Sequence, residues 1–340
     1  MPHWSTRLWR MLCAVELGCA DMGADGTIGD VGEFSLIDRL TSGLASNAHV
    51  IVGPGDDTAV VNAPDGRTLV TVDILVEGRH FRRDWSTPVD IGRKAAAASL
   101  ADIAAMGGTT TALVVAFAAP ADLPASWAMQ CMSGLAEEAA LVGASIVGGD
   151  VSAADAIVIS VTALGDLAGK APVLRSGAKA GDRIALAGRV GWSAAGLAVL
   201  SRGFRSPRVL VNAHRFPEPP YAAGPLAAKA GATSMIDVSD GLIADARHIA
   251  ESSDVVLSLS STTLEIPEEI RATAAAYNVD PRLWLLTGGE DHALLATFSG
   301  KKKLPVGFVE IGTVEATGDE GPGVVVDGIR DNSRGGHRHF

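Results

Sequence analysis

The chain is predicted to fold into two α+β domains, on three observations. Its 340 residues suffice for two domains of ordinary size. Strand-type and helix-type apolar runs are mixed in both halves instead of alternating regularly. A stretch rich in Gly, Ala and Lys, residues 168–181, separates the halves. The predicted layout is a poorly ordered extension over 1–31, an N-terminal domain over 32–167 and a C-terminal domain over 168–340.

In the first half, residues 34–44 read as a helix carrying Leu36, Ile37, Leu40 and Leu44 on one face. Residues 49–52 and 58–62 read as strands flanking a GPGDD turn, and 68–75 as a strand ending near Asp73. A helix follows, with Thr87 as N-cap, Pro88 in the first turn, an alanine-rich body and Gly107-Gly108 as its stop. Asp102 falls in its last two turns, where the macrodipole disfavours an anion unless a cation compensates. Then come a strand (111–117), a helix (125–142) and strands at 145–147 and 157–164. The second half repeats the rhythm: strand 183–187, helix 193–201, a Pro-rich connection at 216–220, another helix, and strand 234–238. That strand runs straight into a helix beginning at Ser239-Asp240-Gly241. Gly288 to Asp291 reads as a hairpin turn before strand 293–298.

Lys+Arg 28 against Asp+Glu 39 gives a net charge of −11. That excludes sequence-independent nucleic-acid binding, which needs a basic stripe. Cys13, Cys19 and Cys131 form neither a disulfide framework nor a zinc spacing, which fits a reducing cytoplasm. The apolar stretch after Arg7 and Arg10 is interrupted by Glu16, and no stretch has the length of a membrane span.

The chemistry lies in five aspartate-bearing segments: GPGDDTA (53–59), TVD (71–73), SLADIAAMGG (99–108), VGGD (147–150) and IDVSDGL (236–242). A like-charged pair about 4 Å apart costs roughly 4 kcal/mol at an effective dielectric near 20. Gathered carboxylates therefore call for cations, and all-oxygen donors suit Mg²⁺. Each segment alone also reads as turn or cap chemistry; it is the five together that point to a polyphosphate held through metal ions. No Walker A loop, GxGxxG, GxSxG or HExxH is present. The helix start at Ser239 offers backbone N–H groups to an anion. Arg175 reads either as a phosphate fork or as a solvated loop cation.

In order along the chain, GEFSLI, GDDTA, TVD with EGRHF, SLADIAAMG, GGD, RSGA, SAAGLA, IDVSDGL and TGGEDHAL resemble the thiamine-monophosphate kinases. These belong to the ATP-binding superfamily of aminoimidazole ribonucleotide synthetase. The resemblance runs from about Gly32 to the C-terminus. It implies the two-domain α+β fold of that superfamily, with N-terminal-domain strands forming a shared barrel in a homodimer. It implies Mg²⁺ as cofactor, with Asp57, Asp73, Asp102, Asp150, Asp237 and Asp240 as ligands, completed by Thr71 and the carbonyl of Val72. It places ATP, the co-substrate, on Gly149, Asp150, Arg175 and Ser239, and thiamine monophosphate near His80 and Glu290. The family ends in Gly, an aromatic residue and Asp-His-Phe. Here Gly336-His337-Arg338-His339-Phe340 puts His337 at the substrate-contacting position and Arg338 in place of the acid.

The implied reaction moves the ATP γ-phosphoryl group onto the phosphate of thiamine monophosphate. Asp57, Asp150 and Asp240 are expected to carry the catalytic charge compensation, and no membrane or nucleic-acid partner is expected. The acceptor is already anionic, so no Ser–His pair or activated cysteine is expected. Alternatives are another ATP-dependent synthetase of the superfamily, or a catalytically silent module that binds Mg·ATP. A selenophosphate synthetase would carry a reactive Cys or selenocysteine with a lysine near the N-terminus, and a hydrogenase-maturation relative would end in a cysteine-bearing tail; this chain has neither.

Overall fold

The computed structural model describes residues 26–54 and 58–332. The N-terminal half is a four-stranded sheet, β3-β6-β4-β5, covered on one face by two helices. Its elements are α1 (Ile28–Val31), α2 (Glu33–Thr41), β1 (Val50–Val52), β2 (Val60–Val61) and β3 (Leu69–Val76). There follow α3 (Pro88–Ala105), β4 (Thr109–Ala119), α4 (Ala125–Ala140), β5 (Ser145–Ala153) and β6 (Val158–Asp166). β4 and β5 are parallel, with α4 as their crossover, and β6 pairs antiparallel with β3 and β4. Residues 26–31, assigned to the poorly ordered extension, are ordered instead. Thr27 and Asp30 form a capping box, and Ile28 N donates to Leu123 O.

The C-terminal half is a seven-stranded sheet, β13-β12-β9-β11-β7-β10-β8. It contains β7 (Asp182–Ala187), α5 (Trp192–Ser201), α6 (Arg208–Arg215), α7 (Ala223–Ala230), β8 (Ala232–Val238), α8 (Leu242–Ser253) and β9 (Val255–Leu259). α9 (Glu268–Tyr277), α10 (Pro281–Thr287), β10 (Ala293–Ser299), β11 (Phe308–Ala316), β12 (Gly323–Val326) and β13 (Ile329–Arg330) complete it. All its pairings are antiparallel except β9 with β12. The 168–181 stretch links the last strand of one sheet to the first of the other.

Each half has its own apolar core, and a third cluster joins them: Ala104 and Ala105 at the end of α3 pack with Ala223 and Ala227 of α7 and with Met235, Leu294 and Phe298. α3 is thus the shared wall between the halves. It starts at Thr87, whose capping box with Asp90 matches the sequence reading. Its alanine-rich body lets α4 approach closely. A Cβ on Gly92 would lie 1.9 Å from Cys131 O, and one on Gly134 would lie 2.1 Å from Val89 O.

Two local readings are corrected. The segment at 147–150 was read as a strand end, but Gly148, Gly149 and Asp150 lie inside β5. The glycine is needed there because a Cβ on Gly149 would meet Val115 O of the neighbouring strand at 2.0 Å. The Gly288–Asp291 segment is no hairpin: it joins helix α10 to strand β10.

Gly92→Ala is expected to lower unfolding stability by at least about 2 kcal/mol, since backbone on both helices must shift to admit one methyl group. The midpoint of urea denaturation reads this directly.

Candidate functional site

β3 alternates: Thr71, Asp73 and Leu75 turn inward to α3, while Val70, Val72 and Ile74 face out and are exposed. On α3, Ser99 and Asp102 are three residues apart and share the face that meets this strand. The two periods match. Thr71 Oγ1 donates to Asp102 Oδ2 at 2.5 Å, and Ser99 Oγ donates to Asp73 Oδ2 at 2.8 Å. Each carboxylate has a hydroxyl partner, against the wall that the second domain closes.

Asp237 approaches from that second domain as the penultimate residue of β8. Burial, then repulsion from Asp237 and Asp73, pushes the Asp102 carboxyl up to about 6. Burial likewise raises Asp73, against the opposing hydrogen bond from Ser99. Asp237 has one local partner: His292 Nδ1 lies 3.0 Å from its Oδ2. Burial disfavours charge on that imidazole, but Asp237, Asp73 and Glu290 outweigh it, and its pKa is raised.

Beyond Asp237, Ser239-Asp240-Gly241 forms a turn and α8 begins at Leu242, three residues later than the sequence suggests. Neither Ser239 nor Asp240 caps it. Asp245 reaches back from the first turn, accepting from Asp240 N at 3.0 Å and Gly241 N at 3.1 Å. Burial, then Asp237, pushes the Asp245 carboxyl to about 7. The 288–292 turn lies directly against this segment: Glu290 N donates to Ser239 O at 2.7 Å, and a Cβ on Gly289 would meet that same oxygen at 2.2 Å.

His80 and Glu290 come together through a residue that the sequence reading overlooked. Lys94 Nζ donates to His80 O at 3.0 Å and to Glu290 Oε2 at 3.1 Å. His80 Nδ1 itself accepts from Val76 N at 2.9 Å. Burial alone would raise the Glu290 carboxyl, but Lys94 and His214 hold it well below the usual range.

Other expected members stand apart. Asp150 is exposed and shares a register row with Ala116, Ser160 and Ile74. That row lies on the outer face, three strand spacings or roughly 14 Å from the Ile74 edge. The structure therefore does not bring Asp150 into the Asp73–Asp102–Asp237 group. Arg175 is exposed in the interdomain stretch; its carbonyl accepts from Ser253 Oγ at 3.0 Å. Asp57 and His337 lie outside the described residues. Cys131 is buried, and burial pushes its thiol up to about 12.

One expectation fails outright, because a Ser–His pair does exist. Ser193 Oγ lies 3.0 Å from His214 Nδ1, both buried. Burial, then Lys94, pushes the imidazole down to about 4, and Ser193 is only 1% exposed, so no substrate reaches the pair. It is a packed polar contact behind Glu290. Beside it, Asp291 accepts from Ser193 N at 2.9 Å while its Oδ2 has no partner, and burial pushes this carboxyl up to about 7.

Asp291 is a clean reporter of that burial. Its folded pKa exceeds its unfolded value, so its contribution to stability is lost as pH rises from about 4 to about 7. Relative to wild type, Asp291→Asn should gain about 2–3 kcal/mol of unfolding stability between about pH 5 and pH 8. Parallel urea titrations of the two proteins at those pH values measure it.

A family model described as AIR synthase related protein, N-terminal domain, matches residues 55–167. Thiamine-monophosphate kinase of Mycobacterium tuberculosis is 50% identical over 316 residues, covering 92% of this chain and 93% of that protein. The thiamine-monophosphate kinase of Corynebacterium glutamicum is 40% identical over 91% of this chain and 94% of its own length. A solved structure, AaThiL complexed with AMPPCP and TMP, superposes with a TM-score of 0.75 at 32% identity, covering 92% of this chain and 98% of that one. On a fold and a sequence that agree over nine-tenths of its length, the chain belongs to the thiamine-monophosphate kinase family.

Proposed function

We propose that this protein transfers the γ-phosphoryl group of ATP to the phosphate of thiamine monophosphate, giving thiamine diphosphate and ADP. The observation that carries the reading is the meeting of Asp73 and Asp102 from one domain with Asp237 from the other, within a chain half identical to a thiamine-monophosphate kinase. A phosphate oxygen of the acceptor attacks the γ-phosphorus, and the bond to the bridging oxygen of ADP breaks. The nucleophile is largely ionised at neutral pH, so no general base is required. That agrees with a Ser–His pair sealed from the surface.

The donor set suits Mg²⁺. It consists of hard oxygens, and burial together with repulsion from Asp237 and Asp73 lifts Asp102 to about 6. Among the described residues no three His, Cys, Asp or Glu side chains already form a metal-holding group. Mg²⁺ takes one or two carboxylates from a protein and fills its other positions with phosphate and water oxygens. Asp73, Asp102, Asp237 and Asp240, with Thr71 and the Val72 carbonyl, would hold the ions, and Asp57 and Asp150 would complete the set. When bound, the ions neutralise the polyphosphate. The chain's own part is to fix the two domains' carboxylates at one place, with Ser239, Gly149 and Arg175 toward ATP. Glu290 and His80 face the cationic thiamine portion, and His337 adds a contact from the C-terminal tail.

The expected result is Mg²⁺-dependent formation of thiamine diphosphate from the monophosphate, and none from free thiamine, followed by chromatography. ATP binding with no product would overturn the kinase reading. Asp57→Ala, Asp102→Asn and Asp150→Ala should each lower kcat/KM by at least about a hundredfold while far-UV circular dichroism is retained. Near-normal turnover in all three would remove the metal assignment.

Among the described residues no helix is long and apolar enough to cross a membrane, and the cytoplasm is the compartment we propose. We also infer a homodimer through the outer face of the first sheet. Val70, Val72 and Ile74 there are 62%, 61% and 53% exposed, an apolar row on an edge strand that a second copy would cover. Val72→Asp should halve the mass measured by light scattering; an unchanged mass would place the interface elsewhere.

A further inference from the structure

Lys94 stands mid-way along α3 with 6% of its side chain exposed, whereas its partner Glu290 keeps 35%. A buried ammonium costs several kcal/mol unless paired, so both of its observed bonds matter. One goes to the carbonyl of His80 in the first domain, the other to the carboxylate of Glu290 in the second. The ion pair is closed on the lysine side and open on the glutamate side. Glu290 also has a positive φ of 65°, a backbone shape that non-glycine residues hold only when their surroundings impose it. Its N–H is tied to Ser239 O, and His214 Nδ1 lies 3.4 Å behind its Oε2. Thus one buried atom, Lys94 Nζ, sets the relative positions of two elements from different domains.

We propose that Lys94 is a positioning residue for the phosphoryl acceptor: it fixes His80 and Glu290 as opposite walls of one subsite for an organic cation carrying a phosphate. The proposal rests on the reading above that His80 and Glu290 face the acceptor. Lys94 touches no substrate. It anchors the Glu290 carboxylate from behind, so that the exposed side of that group faces the cation from a fixed place. The cation's ring is then held in one register, which decides whether the attached phosphate lines up with the γ-phosphoryl group. A misplacement of about 1 Å can cost about a hundredfold in rate.

The test uses full-length Lys94→Met, Glu290→Gln and the double variant, assayed against both substrates. Lys94→Met is expected to lower kcat/KM for thiamine monophosphate at least about tenfold, with KM for ATP within about twofold of wild type. A merely structural lysine would move both substrates alike, and that result overturns the proposal. In the Glu290→Gln background, adding Lys94→Met should cost no more than about threefold, because the partner through which it acts is gone. The full effect persisting there also overturns it. This comparison holds even if Lys94→Met alone folds poorly, since the double variant leaves no unpaired buried charge. If Glu290→Gln alone leaves kcat/KM unchanged, the placement of Glu290 against the acceptor is wrong and the proposal falls with it, a failure distinct from the other two.

Discussion

Mutual repulsion of carboxylates across a domain boundary governs this molecule. Asp73 and Asp102 are fixed by Thr71 and Ser99 on the inner side of the first sheet, and Asp237 faces them from the second. Burial and neighbouring negative charge both oppose ionisation, which costs the protein free energy in the absence of a cation. A purely structural interface is served as well or better by apolar groups, like the buried Ala104 and Ala105 just beyond Asp102 on the same helix. The contrast within α3 marks where packing ends and chemistry begins.

α3 performs both tasks because of its composition. Small residues let α4 lie almost backbone to backbone against it, and the same economy of side chains leaves room for Lys94, Ser99 and Asp102 to be the groups that point at the interface. A second buried polar link reinforces the joint: Glu138 of α4, 1% exposed, accepts from Arg93 of α3 at 2.9 Å and from Tyr221 of the Pro-rich connection at 2.7 Å. Each partner is satisfied, so this network orients the connection without the penalty of an unpaired charge.

Much of this was legible from sequence alone. The capped start of α3 and the mixed strands and helices of both halves follow from local rules, and the structure bears them out. Asp73, Asp102 and Asp237 were likewise visible, because an acid in an apolar run is conspicuous. Gly149 and Asp150 misled, since a Gly-Gly-Asp triplet obeys turn rules unless a neighbouring strand presses close, and nothing local announces Val115. Lys94, His214 and Asp245 were missed because their importance arises from pairings over 196, 76 and 5 residues, respectively Lys94–Glu290, His214–Glu290 and Asp245–Asp240. Only the Arg93-Lys94 pair, the two cations of an otherwise alanine-rich helix, left a trace in the sequence.

Asp150 bears on how the proposed dimer and the proposed metal site would be related. It lies on the outer face, in the row of Ile74 but three strands away from it, while the inner carboxylates lie behind the sheet. A phosphate chain contacted by both would have to pass the edge of β3, where Val72 presents its carbonyl between Thr71 and Asp73. Covering the apolar outer face with a second copy would dehydrate that edge and strengthen every charge beside it. On this view dimerisation and nucleotide binding draw on the same strand: alternate residues of β3 serve the two purposes, Val70, Val72 and Ile74 outward and Thr71 and Asp73 inward. A one-residue slip in the pairing of β3 with β6 would exchange the two sets and abolish both. If both proposals hold, the full eight-residue register from Leu69–Gly165 to Val76–Val158 is a functional constraint as much as a structural one.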